Sequence, residues 1–343
     1  MTGVTLADVL DRRLLAEIQK RMPLAHRPFH AVGDKLGLSE QDCLARIERM
    51  KGAGIFQRVS AVFEPSALGY ERSLFALKVP ASYRARAIEE LLAYPGLTYL
   101  CERKDPFSIW LSAWVPPHGS LAQLADRFHH GAQAEETLVL PAQRVYKGTA
   151  STAAEPHAWL EAAHEPGGGR RPNAYGNLTQ TDLRCIRALQ TDLPLLEMPY
   201  AVIAESVEMT EEELFTWCRK MEQQGVLSRI AALSPPAPDA VRERLVVWEA
   251  PDGIVEASGM HLARLREVVH CVRRPIFPGW PYALFTVIHS DSDSLHETAT
   301  RMQSLVGEMP FLELPPIHLY RSGRLALCDA ELERWWSQSR ASS

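Results

Sequence analysis

Residue types that could do chemistry are concentrated in one stretch of the sequence, HCVRRPIFPGWPYALFTVIHS, which runs from His270 to Ser290. Arginine offers carboxylates a planar fork of hydrogen-bond donors. Tryptophan and tyrosine offer flat apolar walls with a polar tip, and histidine offers a proton near neutral pH or a ligand to iron. Together these side chains predict a site for a large, flat, polyanionic ligand with a metal at its centre, which describes a carboxylate-rich iron tetrapyrrole.

Strand geometry limits which of these side chains can share a site. Successive residues on a strand point to opposite faces, so Arg273 and Arg274 cannot both point inward. His270 and Arg274 fall on the same face, which favours Arg274 over Arg273 as the inward cation. Cys271, between them, is expected to be a buried packing residue.

The elements that position this stretch belong to a duplicated chain. The segment MPLAHRPFHAVGDKLGLSEQDCLARIERMKGAGIFQRVSA, from Met22, aligns without a gap with LPLLEMPYAVIAESVEMTEEELFTWCRKMEQQGVLSRIAA, from Leu193. Near the end of each half, LPAQRVYK from Leu140 matches LPPIHLYR from Leu314. Two long units in the same order indicate a tandem duplication rather than a short-period solenoid.

Each half is predicted to be an α+β unit, a winged helix-turn-helix followed by a ferredoxin-like βαββαβ domain. Ser39 and Thr210 are expected to cap the third helix of each half, and the strand-like segments that follow suggest the hairpin of a wing. The predicted domains are winged helices at 1–62 and 179–234, a linker at 148–178, and ferredoxin-like domains at 63–147 and 235–343, the second with a C-terminal helix.

Composition narrows the class of protein. The 343 residues have a formal net charge of -5, which disfavours a general nucleic-acid binder, and their length suggests about two cores. None of the six cysteines forms a CxxC pair, so no zinc site or disulfide framework is expected, and reduced thiols fit a cytoplasmic protein. No signal peptide or membrane-spanning run is predicted.

The predicted architecture resembles that of the Lrp/AsnC family of transcription regulators. Such regulators need a basic recognition helix that can approach phosphates. The corresponding helix of the second half, TEEELFTWCRKMEQQG, is acidic at its start, and Phe215 and Trp217 suggest that it packs against protein. We therefore expect no DNA binding.

The first half carries a shorter version of the chemical stretch, YLCERKDPFSIWLSAW, which begins at Tyr99. Arg103 corresponds to Arg274, but Tyr99 stands where the second half has His270, and Trp114 stands where it has His289. One active pocket per chain, in the second half, is therefore expected. Four further residues are candidates for substrate binding: Tyr99, Arg103, Arg58 and Arg229. The three arginines can equally be explained as solvated residues at strand ends.

The segments HCVRRP and GWPYALFTVIHS together resemble the siroheme decarboxylase family, whose subunits carry a motif of the type HCYxRP…WPYNL…MIH. The HRPF and MPYA segments and the repeated LPxxxxYK/R fit the same family, and the resemblance covers roughly residues 12–147 and 181–325. Two residues depart from the motif: Val272 replaces its tyrosine and Ala283 replaces its asparagine.

The resemblance implies an enzyme of Lrp/AsnC architecture that has lost DNA binding. Such an enzyme is a carboxy-lyase that removes two acetate carboxyls from siroheme to give 12,18-didecarboxysiroheme, on the route to d-type haem or haem b. It needs no cofactor, because the iron enters with the substrate, and no metal site of its own. The resemblance also implies a homodimer or a complex with a paralogous fused chain.

For this reaction we assign His270 as the proton donor and Arg274, or else Arg273, as the clamp on a carboxylate. Trp280 and Tyr282 would form a wall, and His289 would be a second proton source or an axial ligand of the iron. Two other functions remain open: a non-catalytic partner subunit of such an enzyme, and a haem- or siroheme-responsive transcription regulator.

Overall fold

The computed structural model describes residues 8–148, 175–233, 243–289 and 295–341. Residues 149–174, most of the predicted linker, lie outside the described residues. Within the described part of the chain, no helix is both long and apolar enough to cross a membrane.

The two halves repeat the same order of elements. The first half contains α1 Val9–Lys20, α2 Pro28–Leu36, α3 Glu40–Gly52, β1 Arg58–Phe63, β2 Glu71–Lys78, α4 Arg84–Leu92, β3 Leu97–Arg103, β4 Ile109–Val115, α5 Leu121–Gly131, β5 Glu136–Leu140 and β6 Arg144–Lys147. The second half contains α6 Gln180–Leu189, α7 Pro199–Ser206, α8 Glu211–Gln223, β7 Leu227–Leu233, β8 Glu243–Trp248, α9 Val255–Arg264, β9 Val268–Arg273, β10 Leu284–His289, α10 Leu295–Leu305, β11 Phe311–Leu314, β12 Pro316–Ser322 and α11 Ala330–Ala341. This order confirms the predicted fold class, a duplicated winged helix-turn-helix plus ferredoxin-like unit.

Local sequence signals fix the helix ends as predicted. The side chain of Ser39 accepts a hydrogen bond from the backbone N–H of Asp42 at the start of α3. Thr210 and Glu213 form a full capping box at the start of α8. After both helices a glycine adopts a left-handed conformation, with φ of 72° at Gly54 and 69° at Gly225, which lets the chain turn sharply into a strand.

The wing of each half differs from the predicted hairpin. In the described residues each half contributes one strand, and β1 pairs with β7 in an antiparallel two-stranded sheet. The partner of β1 therefore comes from the other half. Pairing between the halves gives each wing strand the backbone hydrogen bonds that an isolated strand would lack.

The last strand of each half is exchanged between the two ferredoxin-like sheets. The strand orders are β12-β3-β4-β2-β5 and β11-β8-β10-β9-β6, so β6 completes the sheet of the second half and β12 completes that of the first. From sequence, LPAQRVYK and LPPIHLYR are each expected to continue the preceding strand of their own half. Pro141 and Pro315 interrupt the strands because they cannot donate to a ladder, and the chain crosses to the opposite sheet there.

The two winged helices contact each other through ion pairs whose charges are swapped between the repeats. Arg21 of the first half lies 3.1 Å from Glu222 of the second. At the equivalent positions, Lys51 of the first half pairs with Asp192 of the second. The first half supplies both cations and the second half supplies both carboxylates, so two identical halves could not form this pair of contacts.

The buried side chains form separate layers. The largest cluster joins both winged helices to the helical side of the first sheet. A second cluster lies on the helical side of the second sheet. A third contains residues of both sheets and forms the inter-sheet core, which includes Tyr99, Trp110, Trp280, Phe285 and Val287.

Aromatic residues hold two helices against these layers, and for Phe215 and Trp217 this confirms the predicted packing against protein. Phe215 and Trp217 of α8 are buried, and Trp217 Nε1 donates to Asp182 of α6 at 2.7 Å. Trp336 of α11 is buried against the first ferredoxin-like domain, where its Nε1 donates to the hydroxyl of Tyr94 at 3.1 Å.

Candidate active site

His270 lies fully buried on β9, opposite Val287 of β10. The ladder between these strands is irregular just before it, because the register passes from His270 to Val268 and leaves Val269 as the extra residue of a bulge. Cys271 is directed to the helical side, where its Sγ contacts the carbonyl of Gly259. His270 therefore points to the inter-sheet core. Bulges are frequent beside active sites because they re-aim a side chain.

The two adjacent arginines point in opposite directions. Arg273 is directed to the helical side and pairs with Glu256 at 3.0 Å and Asp252 at 3.2 Å, around α9. Arg274 is 3% exposed, and its guanidinium carbon lies 5.5 Å from the ring centre of Phe285 in the inter-sheet core. His270 and Arg274 thus share the interior face, and Arg273 is engaged by carboxylates on the other side of the sheet.

The environment of Arg274 disfavours its positive charge. Burial, followed by the nearby charge of Arg72, lowers the pKa of Arg274 to about 9. One of its amino groups donates to the carbonyl of Leu140, at the point where the first half crosses to the opposite sheet. An anion bound beside Arg274 would offset the unfavourable burial of this cation.

Trp280 and Tyr282 lie in the loop between β9 and β10. Trp280 is buried, with its ring centre 5.3 Å from Phe107 and 5.6 Å from Trp110 of the first half. Tyr282 is half-buried and lies 4.9 Å from Trp280. The Nε1 atom of Trp280 is buried and has no hydrogen-bond partner among the described residues. This donor is suited to a polar group of a bound molecule, because an unpaired buried N–H is costly.

The remaining predicted histidine has only its backbone position described. His289 ends β10 and pairs in register with Glu243 of β8, and its side chain lies outside the described residues. Its proposed roles as a proton source or an iron ligand stay predictions. Among the residues that the structure describes, no three His, Cys, Asp or Glu side chains are grouped to hold a metal ion.

The first half keeps the geometry of the site with different chemistry. A bulge at Thr98 precedes Tyr99, as the bulge at Val269 precedes His270. The Tyr99 hydroxyl accepts a hydrogen bond of 2.7 Å from Arg103, and burial raises the pKa of this hydroxyl, so it stays protonated. Arg103 also donates to the carbonyl of Leu314, which mirrors the bond between Arg274 and Leu140.

The structure separates Arg58 and Arg229 from the inter-sheet core. Both belong to the two-stranded wing sheet, where Arg58 pairs in register with Leu233 and Arg229 with Val62. Both are half-buried, so neither is a freely solvated strand-end residue.

Two arginines that were not predicted lie beside the predicted ones. Arg72 of β2 lies 4.9 Å from the ring centre of Trp114, and its charge acts on Arg274. Arg324 follows β12, and burial together with the charge of Arg58 lowers its pKa to about 10. Alternation along β2 could have indicated Arg72. The position of Arg324 could not be anticipated because it depends on the exchanged strand.

Taken together, these residues can perform acid-base chemistry on a carboxylate away from water. A buried histidine can deliver a proton, a buried arginine can hold a carboxylate, and the tryptophan N–H can fix a second polar group. The aromatic rings between the sheets offer apolar surface for a flat ligand.

Comparisons with known proteins agree with this architecture. The family described as siroheme decarboxylase NirDL-like HTH domain matches residues 11–56 and 182–227. The family described as AsnC-like ligand binding domain matches residues 241–321.

Individual relatives span one or both halves. The chain is 28% identical to a siroheme decarboxylase of Hydrogenobacter thermophilus over 95% of this chain and 97% of that protein. It is 34% identical to the siroheme decarboxylase alpha subunit of Desulfovibrio desulfuricans over 41% of this chain and 80% of that subunit.

A solved structure supports the fold. The crystal structure of the siroheme decarboxylase NirDL in complex with an iron-uroporphyrin III analogue superposes with a TM-score of 0.78 at 24% identity, covering 97% of this chain and 99% of that chain. The repeated helix-turn-helix match and the identity to the alpha subunit over most of its length lead to one conclusion: the chain belongs to the siroheme decarboxylase family.

Proposed function

We propose that the chain is a siroheme decarboxylase, which removes two acetate carboxyls from siroheme and yields 12,18-didecarboxysiroheme for haem biosynthesis. In addition to the family membership, one observation carries the proposal: His270 of β9 and Arg274, the residue after β9, are both buried, and both point to the inter-sheet core. A proton donor and a carboxylate-binding group are the two parts that such a decarboxylation requires of the protein.

The chemistry balances without an oxidant or a reductant. Each acetate arm loses carbon dioxide when its carbon–carbon bond breaks, and the electron pair of that bond stays on the arm, where the macrocycle delocalises it. One proton then converts the arm to a methyl group. We assign this proton to His270, and we assign the orientation of the carboxylate to Arg274.

Burial of the site favours the loss of carbon dioxide. A carboxylate held in a dry interior gives up less hydration when it becomes neutral carbon dioxide than one held in water. The Trp280 N–H would fix a second polar group of the substrate, while Tyr282 would extend the aromatic wall. Because His270 has no exposed surface in the ligand-free chain, substrate can reach its ring only after neighbouring side chains move.

The first-half site favours one working pocket per chain. Tyr99 replaces the histidine, and its hydroxyl is already bonded to Arg103. A phenol whose pKa is raised by burial stays protonated, but it is a much weaker acid than an imidazolium. We therefore place the reaction in the second half, and we propose that the chain acts as a cytoplasmic homodimer or with a paralogous fused chain.

The same observation supports a second candidate, a partner subunit that binds the tetrapyrrole while a paralogue performs the reaction. The deciding experiment mixes the purified chain with siroheme in the absence of oxygen and follows product mass by chromatography. Loss of one or two carboxyl groups supports the decarboxylase. A spectral change on binding with no loss of mass, even at long times, contradicts self-sufficient activity and favours the partner subunit.

A further inference from the structure

Ser112 of β4 faces the inter-sheet core at the position that is equivalent to Val287 of the second half. It pairs in register with Tyr99 of β3, just as Val287 pairs with His270. On its other side it pairs with Leu74 of β2. Tyr99 and Leu74 both belong to the inter-sheet core. Because paired residues on neighbouring strands share a face, the side chain of Ser112 points into the same core.

The hydroxyl of Ser112 is buried without a partner. The residue has no exposed surface, and its Oγ atom has no hydrogen-bond partner among the residues that the structure describes. A buried hydroxyl that makes no hydrogen bond destabilises the fold, whereas the valine at the equivalent position has no polar atom to satisfy. A molecule that enters the core and accepts a hydrogen bond would remove this cost.

The row of residues that contains Ser112 begins at the carbonyl that Arg274 binds. Leu140 of β5, Leu74 of β2 and Ser112 lie side by side in register. Arg274 donates to the carbonyl of Leu140, so it reaches from the second sheet to one end of this row. Two strand spacings, roughly 10 Å, separate the backbones of Leu140 and Ser112. A carboxylate that lies over Leu74 would therefore have the guanidinium on one side and the hydroxyl on the other.

The charges around this row favour an anion. Arg72 lies two residues before Leu74 on the same strand, so both face the inter-sheet core. The guanidinium carbon of Arg72 lies 4.9 Å from the ring centre of Trp114, which is two residues after Ser112. Arg72 and Arg274 thus border the row from two directions. Their charges would attract a carboxylate, and the hydroxyl would add a directional hydrogen bond.

We propose that Ser112 donates a hydrogen bond to the carboxylate arm of the substrate that Arg274 holds, so that the first half completes the site of the second. This inference rests on the proposed function. Arg274 supplies the charge and binds one side of the carboxylate, and Ser112 donates to its other oxygen and fixes the direction of the arm. The half that lacks the histidine therefore contributes a substrate-binding residue.

The test titrates the full chain with iron uroporphyrin III, which carries acetate and propionate carboxylates on every ring, and follows binding by visible absorbance. We expect Ser112→Ala to weaken binding roughly tenfold, because one hydrogen bond to a charged group is lost. Arg274→Met should weaken binding as well. The double variant should lose less than the product of the two single effects, because both side chains hold one group.

Ser60 provides a matched control. It is 1% exposed, and its Oγ atom is also buried without a hydrogen-bond partner among the described residues. It belongs to the wing sheet, where it pairs in register with Ala231 of β7. Ser60→Ala therefore removes an equally buried hydroxyl outside the inter-sheet core, and this variant should bind iron uroporphyrin III as the wild type does.

Ligand-free stability separates substrate binding from a structural role, such as holding a buried water. Removal of an unpaired hydroxyl should leave the melting temperature of ligand-free Ser112→Ala unchanged or raise it. A lowered melting temperature, with or without a loss of affinity, would give the hydroxyl a structural role and overturn the inference. Unchanged affinity for iron uroporphyrin III would overturn it too, and so would fully additive losses in the double variant.

Two further comparisons identify the bound arm and keep the inference distinct from the proposed function. Iron coproporphyrin III lacks the acetate carboxylates but keeps the propionates. A loss of affinity in Ser112→Ala that persists with this ligand assigns a propionate to Ser112, and a loss that disappears assigns an acetate. Failure of the wild type to bind iron uroporphyrin III would remove both the inference and the proposed function. Normal siroheme turnover together with wild-type affinity in Ser112→Ala would remove the inference alone.

Discussion

Replacing Arg274 by methionine is expected to make the protein more stable and inactive at the same time. The side chain is 3% exposed, and its pKa is lowered from 12.5 to about 9 by burial and by the charge of Arg72. At about 1.4 kcal/mol for each pKa unit, holding the charged guanidinium there costs the fold on the order of 5 kcal/mol. Methionine of similar length removes this cost.

The gain is reduced by the hydrogen bond that the variant loses. Arg274 donates to the carbonyl of Leu140, and a bond from a charged donor contributes about 1.5–3 kcal/mol. The net stabilisation is therefore about 2–3.5 kcal/mol. A chain of 343 residues unfolds with an entropy of about 0.7 kcal/mol per kelvin, so the melting temperature should rise by about 3–5 °C. Turnover of siroheme should fall below detection because no buried cation then orients the carboxylate.

The equivalent residue of the first half provides the matched control. Arg103 is 2% exposed and donates both to the carbonyl of Leu314 and to the Tyr99 hydroxyl. Arg103→Met removes two bonds and leaves a buried hydroxyl without its donor, so thermal unfolding should begin at a lower temperature than in the wild type. Opposite shifts in the two variants would show that only the second-half arginine is held for function.

The pH dependence gives a second check on the same reasoning. The pKa of Arg274 is lower in the folded chain than in the unfolded chain, so the unfolded chain binds more protons between about pH 9 and 12.5. Wild-type stability should rise through the accessible part of that range relative to the variant, so the advantage of Arg274→Met should shrink above about pH 9. A melting temperature that falls in Arg274→Met at neutral pH would refute the argument, because the cation would then stabilise the fold.

Three further perturbations follow from the structure. His270→Ala should abolish carbon dioxide release while absorbance titration still shows siroheme binding; unchanged turnover would rule out His270 as the proton donor. Trp280→Phe keeps an aromatic ring but removes the pyrrole part of the indole with its unpaired N–H, so affinity for siroheme should fall roughly tenfold, and equal affinity would show that this donor meets no ligand. A Cβ at Gly119 would lie 2.9 Å from the ring of Trp336, so Gly119→Ala should lower the free energy of unfolding in urea by about 1–3 kcal/mol. The control Gly131→Ala places its Cβ in open space and should lower it less. Equal losses in the two variants would mean that α11 adapts without strain.

Much of the fold could be predicted from the sequence because its signals are local. The caps at Ser39 and Thr210, the glycines after α3 and α8, and the order of strands and helices all depend on residues close together in the chain. Because the two halves align without a gap, each local prediction holds at the equivalent positions of both halves. Alternation along β9 placed His270 and Arg274 on one face, and that inference survives the bulge because the extra residue precedes His270.

The helices and strands, the duplication, and the stretch with the candidate chemistry all follow from the sequence alone. The pairing of β1 with β7 and the exchange of β6 and β12 between the sheets, which brings Arg324 of the second half beside Gln57 of the first, become visible only in the folded chain. These contacts join residues far apart in the chain, and a strand pairs equally well with its own half or with the copy. The partner strand is selected by the way the two halves pack together, so local sequence patterns do not predict it.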